Sequence, residues 1–121
     1  MKIEDLSKEW VQASESSNEH SKENHWSIDY VLDLDTDDKF EELWSFILYT
    51  YKQDISNKVI EVLAAGPLED LLANDGEKYI DEIETLARKD PKFNNLLGGV
   101  WQNAMSDSLW ERVCKARNTV W

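Results

Sequence analysis

Apolar residues recur at three- and four-residue steps through most of the chain, the pattern of helices with one buried face. The clearest run is "TDDKFEELWSFILYTYKQ", where Phe40, Leu43, Trp44, Ile47, Leu48 and Tyr51 form one stripe. It predicts the central helix, with Asp35 or Thr36 as N-cap and with Asp37, Asp38, Glu41 and Glu42 placed where the helix dipole favours negative charge. Near the start, Ile3, Leu6, Trp10 and Ala13 predict another helix, followed by a stretch from Ser16 to Asn24 without an apolar residue. That stretch reads as a solvated connection.

"HWSIDYVLDLD" fits two readings. Ile28, Tyr30, Leu32 and Leu34 alternate as in a strand, whereas Trp26, Tyr30 and Val31 or Leu34 share a helical face. The helical surroundings favour a helix. Further on, Ser56 should cap a helix that buries Val59, Ile60, Val62 and Leu63. In "LAAGPLEDLL" Gly66 is expected to end that helix in the left-handed conformation, and Pro67 to open the next. The second of these would bury Leu68, Leu71 and Leu72 and stop at Gly76; Tyr79, Ile80, Ile83, Leu86 and Ala87 then mark a further helix. Asp90 and Pro91 form a cap and first position, "VWQNAM" suggests a short helical turn with Trp101 and Met105 inward, and Ser106 or Asp107 should cap a last helix burying Leu109, Trp110, Val113 and Ala116.

The expected fold is therefore all-α: a compact irregular array of about seven or eight short helices, with an irregular solenoid of hairpins left open. No repeat of fixed period is visible. The 121 residues suit a single domain, 1–121, in which residues 1–25 would be a loosely attached helix and connection. Six Trp, four Tyr and three Phe supply large pieces for a core.

Charge changes the picture more than size does. Thirteen basic side chains face 25 acidic ones, a net of −12, and the imbalance is uneven. Residues 1–42 carry a net −9, residues 43–87 a net −6 and residues 88–121 a net +3. Such a surface repels phosphate and anionic lipid, which argues against direct binding of nucleic acid or membrane and for a basic protein partner. Solubility alone also explains an acidic surface. Cys114 is the only cysteine, so no internal disulfide can form, and no secretory or membrane-spanning stretch is seen. A soluble cytoplasmic protein is expected.

The candidate chemistry is thin. Asp33, Asp35 and Asp37 occupy alternate positions of a calcium loop, but Asp38 stands where that loop needs Gly and Trp44 where it needs Glu. His20 and His25 are five apart on a polar stretch, a poor spacing for a metal. Cys114 has no neighbouring His to activate it and reads as a partly buried structural thiol. Adjacent Glu69 and Asp70 point about 100° apart on a helix and read as a charged first turn rather than an acid/base pair. Gly98-Gly99 lacks the Lys of a phosphate loop, and Gln102 and Asn103 read as hydrogen-bonding residues at a junction or as partner contacts. Neither a catalytic residue, a metal site nor a cofactor is expected.

"AAGPLEDLLANDG", "DPKFNNLLGGVWQNAM", "SDSLWERV" and "EELWSFI" resemble a functionally uncharacterised family of small bacterial all-helical domains, over roughly residues 26–117. Families of this kind include immunity proteins of interbacterial toxin systems such as contact-dependent inhibition. The resemblance implies no catalytic or ligand residues. The expected function is an immunity protein that neutralises a cognate toxin, a basic nuclease domain fitting best, through Asp33, Asp35, Asp37, Asp38, Glu41 and Glu42 with Trp26 or Tyr30 as aromatic anchors. The alternative is a non-enzymatic helical adaptor or regulatory subunit.

Overall fold

The central helix carries its stripe into the core on more than one side. The structure, a computed structural model, describes residues 2–16 and 25–118. It runs α1 (Ile3–Ser16), α2 (Trp26–Thr36), α3 (Phe40–Tyr51), α4 (Asn57–Leu63), a π-helical turn (Ala64–Leu68), α5 (Glu69–Lys89), α6 (Pro91–Leu97) and α7 (Asp107–Ala116). On α3 the stripe residues Leu43, Trp44, Ile47 and Tyr51 are buried, and so are Phe46 and Thr50 on a second face. Two buried faces mean that helices pack on both sides: α1 and α2 on one, α5 and α6 on another.

Aromatic rings connect these layers. Trp10 of α1 meets Phe46 edge-on at 5.3 Å, while Trp44 and Tyr51 of α3 meet Phe93 of α6 at 6.0 and 5.3 Å. Burying each such side chain contributes roughly 1.5–3 kcal/mol. The N-terminal helix is built into this core through Leu6 and Trp10, and its Ser7 bonds the buried Thr50 hydroxyl at 2.8 Å.

No strand occurs among the described residues, and the fold is all-α. The ambiguous segment is helix α2, burying Ser27, Val31 and Leu34 at helical spacing. Its end corrects one expectation: Asp35 and Thr36 do not cap α3. They belong to the last turn of α2, which closes in a Schellman motif, with Lys39 N–H on Leu34 O at 2.8 Å and Asp38 N–H on Asp35 O at 3.3 Å. Asp38 holds the left-handed position of that motif, φ 59°, and Lys39 is the N-cap of α3 without a side-chain bond.

The helix count is also lower than seven or eight. From Asn57 to Lys89 the chain is one continuous helical rod, which makes six helices in all among the described residues. Gly66 does not terminate anything and has a negative φ; Pro67 sits inside the rod. Proline in a helix lacks an N–H and clashes with the carbonyl four residues back. Widening the turn to π geometry moves that carbonyl aside, and Glu69 N–H picks up Ala64 O. Gly76 likewise does not stop the rod, which kinks at Asp75 (φ −144°, ψ 25°). A Cβ on Gly76 would stand 2.5 Å from Leu109 Cδ2, so the glycine admits α7 close against α5.

Two more apolar assignments fail. Val62 is 40% exposed, and Trp101, at 58%, is the most exposed large apolar residue among the described residues. "VWQNAM" is not helical; it is a loop with Asn103 at φ 43°.

Candidate functional site

Where α2 ends and α3 begins, the chain turns beside the kink of α5. Asp38, Lys39, Phe40, Glu41, Glu42, Asp75 and Lys78 line a groove there of about 340 Å³. Both walls owe their shape to irregular backbone, the left-handed Asp38 on one and the non-helical Asp75 on the other. Lys39 and Lys78 are the cations of the lining, and Lys78 has its Nζ 4.0 Å from Glu41 and 5.6 Å over the ring of Tyr79.

Between α3 and α5, two buried aromatic residues, Trp44 and Tyr79, are in contact, with ring centroids 5.7 Å apart. Neither Trp44 Nε1 nor the Tyr79 hydroxyl has a hydrogen-bond partner among the described residues. Burial raises the Tyr79 hydroxyl above its ordinary pKa, and the charges of Asp75, Glu41 and Glu82 raise it further.

A second group of carboxylates borders the groove on the α2 side. Asn74 of α5 donates to Asp35 Oδ1 at 2.9 Å and to Asp70 O at 3.0 Å, tying α2 to α5. Desolvation raises Asp35, an effect the Asn74 bond opposes and Asp38 adds to. Asp70 is pushed up to about 6, by burial first and then by the charges of Asp35 and Glu69. Glu69 is itself raised by burial, and its Oε2 accepts the Trp101 N–H at 3.3 Å. Glu69 and Asp70 thus form no charged first turn, because the helix does not begin there; Glu69 is 5% exposed and pins the 98–106 loop to α5.

Of the residues singled out from sequence, Asp38, Glu41 and Glu42 line the groove, and Asp35 is half-buried beside Asn74. Asp33 and Asp37 are exposed on the last turn and cap of α2. Trp26 stands at the opposite end of α2, 46% exposed and 5.6 Å from the His25 ring, while Tyr30 packs against the core. His25 caps α2 through Ser27, and His20 lies outside the described residues. Asn74, Asp75 and Lys78 were not singled out from sequence, whereas Tyr79 was expected as core and Asp70 as part of a charged first turn. Only a long-range contact brings them to α2 and α3.

Elsewhere the polar residues have structural work. Arg112 of α7 pairs with Asp81 at 2.7 Å and with Glu84, so part of the basic C-terminal segment neutralises α5 from the other side. Gln102 donates to Met105 O at 3.2 Å and Asp107 Oδ1 at 2.8 Å, closing the loop before α7. Cys114 is exposed rather than partly buried, and Arg117 donates weakly to its sulfur at 3.8 Å. No set of three or more His, Cys, Asp or Glu among the described residues could hold a metal ion. None of the described helices is long and apolar enough to cross a membrane.

No curated protein and no solved structure matches the chain. Residues 14–120 match a family of unknown function, a longer span than the quoted strings, reaching back into α1. The chain belongs to that family of unknown function (DUF6869).

Proposed function

We propose that this chain is a protein-binding module whose acidic corner docks a basic partner, and that it serves as an immunity protein for a cognate interbacterial toxin, a basic nuclease domain being the best complement. One observation carries the reading: a groove whose walls hold four carboxylates, Asp38, Glu41, Glu42 and Asp75, against two lysines, Lys39 and Lys78, opens beside the half-buried Asp35 and Asp70. Concentrating like charge costs stability, and a cationic surface that must hold RNA or DNA offsets that cost on binding. Docking there would cover the toxin's substrate surface, with complementary fields raising the association rate.

The test is co-expression with a candidate basic nuclease toxin domain, chosen from the adjacent reading frame if that frame encodes one. Growth should be rescued by the parent protein and lost, or shifted to much higher expression, with Asp35→Lys, Asp37→Lys and Asp38→Lys combined. Association should slow and lose its salt dependence in the same variant. A folded variant with unchanged association rate and salt slope would remove this corner from the interface. Binding to a housekeeping assembly without any rescue would favour the adaptor reading instead.

A further inference from the structure

We infer that Trp101 is an aromatic anchor, held outward by a braced loop to enter a pocket on the same basic protein that meets the acidic corner. The inference rests on the docking reading above and adds the apolar contact that reading lacks, since Trp26 stands at the far end of α2 and Tyr30 packs against the core.

The 98–106 loop is fixed on both sides of the indole. Trp101 N–H donates to the buried Glu69 at 3.3 Å, and Arg117 donates to Val100 O at 2.8 Å. On the other side Gln102 O accepts Met105 N–H at 2.9 Å, while Gln102 Nε2 donates to Met105 O and Asp107 Oδ1. A single exposed apolar side chain is ordinary and needs no explanation. A tryptophan 58% exposed, with hydrogen bonds holding its own backbone and both neighbours, is different: its place is set before a partner arrives, so less conformational entropy is lost on binding. Burying the Glu69 carboxylate costs stability, and what that carboxylate holds is the backbone of Trp101.

The indole also has apolar company on the rod that carries Glu69. One turn before Glu69, Ala65 is exposed and Gly66 has open space where a Cβ would stand; a further turn back, Val62 is 40% exposed. At helical spacing these residues share a face with Glu69, so the strip leads to the carboxylate that holds the Trp101 amide.

Charge decides what fits there. Glu61 beside Val62 and Asp107 beside Gln102 are exposed, and Asp70 follows Glu69 toward Asp35 of the acidic corner. Two cations of the region already have partners: Arg117 lies on Val100 O and 4.7 Å over the Trp110 ring, and Lys58 donates to Glu15 O at 3.3 Å. A second copy of this chain, at net −12, would bring like charge to the strip, as would an anionic membrane; a cationic protein would not. The adjacency of Glu69 and Asp70 lets one such partner span the anchor and the corner.

An anchor of this kind governs dissociation, whereas the charges of the corner govern association. The experiment measures both rate constants for the full chain against the candidate basic nuclease domain of the co-expression test, over a salt series. Trp101→Ala should raise the dissociation rate roughly thirtyfold, as loss of a hot-spot residue does, at unchanged association rate and salt slope. Gln102→Ala, which loosens the loop and keeps the indole, should raise it about threefold. Because Trp101 is mostly exposed, the thermal midpoint of Trp101→Ala should stay within about 3 °C of the parent, which separates lost binding from lost folding. An unchanged dissociation rate in Trp101→Ala, with slowed association in the combined Asp35→Lys, Asp37→Lys and Asp38→Lys protein, would overturn the inference and leave the corner standing. Faster dissociation in Trp101→Ala, with the corner variant indistinguishable from the parent, would keep the anchor and remove the corner. A parent chain that does not bind the domain would remove both.

Discussion

Two aspartate corners lie toward opposite ends of α5, and they use the same side chain in opposite ways. At the C-terminal end Asp90 caps α6, accepting Lys92 N–H at 3.0 Å and the Tyr51 hydroxyl at 2.7 Å. Those bonds hold its carboxyl below the ordinary aspartate value. Next to it the buried Asn94 donates to Ala87 O and Ala116 O, both at 3.1 Å, and accepts Asn118 N–H at 2.8 Å. The Asp90 and Asn94 side chains are both answered by several partners. At the other corner Asp35 and Asp70 are raised, Asp38 is left-handed, and two buried donors have no partner among the described residues. The difference separates a joint that secures three helices from a surface that keeps its charge at the expense of stability.

The sharpest way to break the comparison is at the satisfied end. Asn94→Ala deletes three hydrogen bonds in a buried position and leaves two carbonyls and an N–H unanswered, which should cost about 2–3 kcal/mol. Urea unfolding should show this as a lower midpoint at unchanged slope. A loss under about 0.5 kcal/mol would mean that α6 and α7 are held by apolar packing alone.

Acid should tell the two ends apart next. Asp70 binds a proton more tightly folded than unfolded, so below its unfolded value its protonated form carries no penalty, and the destabilisation grows as pH rises through about 6. Asp90 is the reverse: its contribution is present above the unfolded value and disappears as pH falls through its lowered one. Stability should therefore increase on going from pH 7 to pH 5, by about 1 kcal/mol once the partial exposure of Asp70 is discounted, and fall again below about pH 4. Asp70→Asn should shrink the rise to what Asp35 and Glu69 contribute and leave the fall. Thermal midpoints across pH 3–8 for both proteins decide it, and an undiminished rise in Asp70→Asn would place its origin elsewhere.

Most of the helices were legible because each writes its own periodicity, and caps such as Ser56, Asp90 and Ser106 were legible because they act on their own first turn. What misled was local punctuation overruled by packing. Gly66, Pro67 and Gly76 look like ends, yet one rod runs through them because Leu63, Leu68, Leu71 and Leu72 all face the core at 0% exposure. Trp101 looks like core but is held outward by the loop that Glu69 pins through its backbone. The groove was half visible: Asp38, Glu41 and Glu42 lie within five residues of one another, whereas Asp75 and Lys78 reach it only through tertiary contact, which no spacing encodes. The rod also yields a prediction. Since a Cβ at Gly66 meets nothing within 4 Å and its φ is negative, Gly66→Ala should raise stability by about 0.5–1 kcal/mol, where a helix-ending glycine would lose as much. A fall in the chemical-unfolding midpoint would restore the terminator.

The smallest expected effect bears most directly on what the acidic corner is for. Asp38 holds the left-handed position of the α2 Schellman motif, where glycine fits without strain and aspartate fits less well. Asp38→Gly should therefore stabilise the protein by about 0.5 kcal/mol, the gain offset in part by the greater entropy of an unfolded glycine. The same change removes one of the carboxylates that line the groove. If the corner exists to bind a basic partner, the substitution should raise the thermal midpoint by a degree or two while slowing association with that partner at low salt. If the charge is there only for solubility, the gain in stability should come with no change in association rate at all. An aspartate kept in a backbone conformation that suits glycine is a small standing cost, and the sign of those two readouts, taken on one protein, says whether binding is what offsets it.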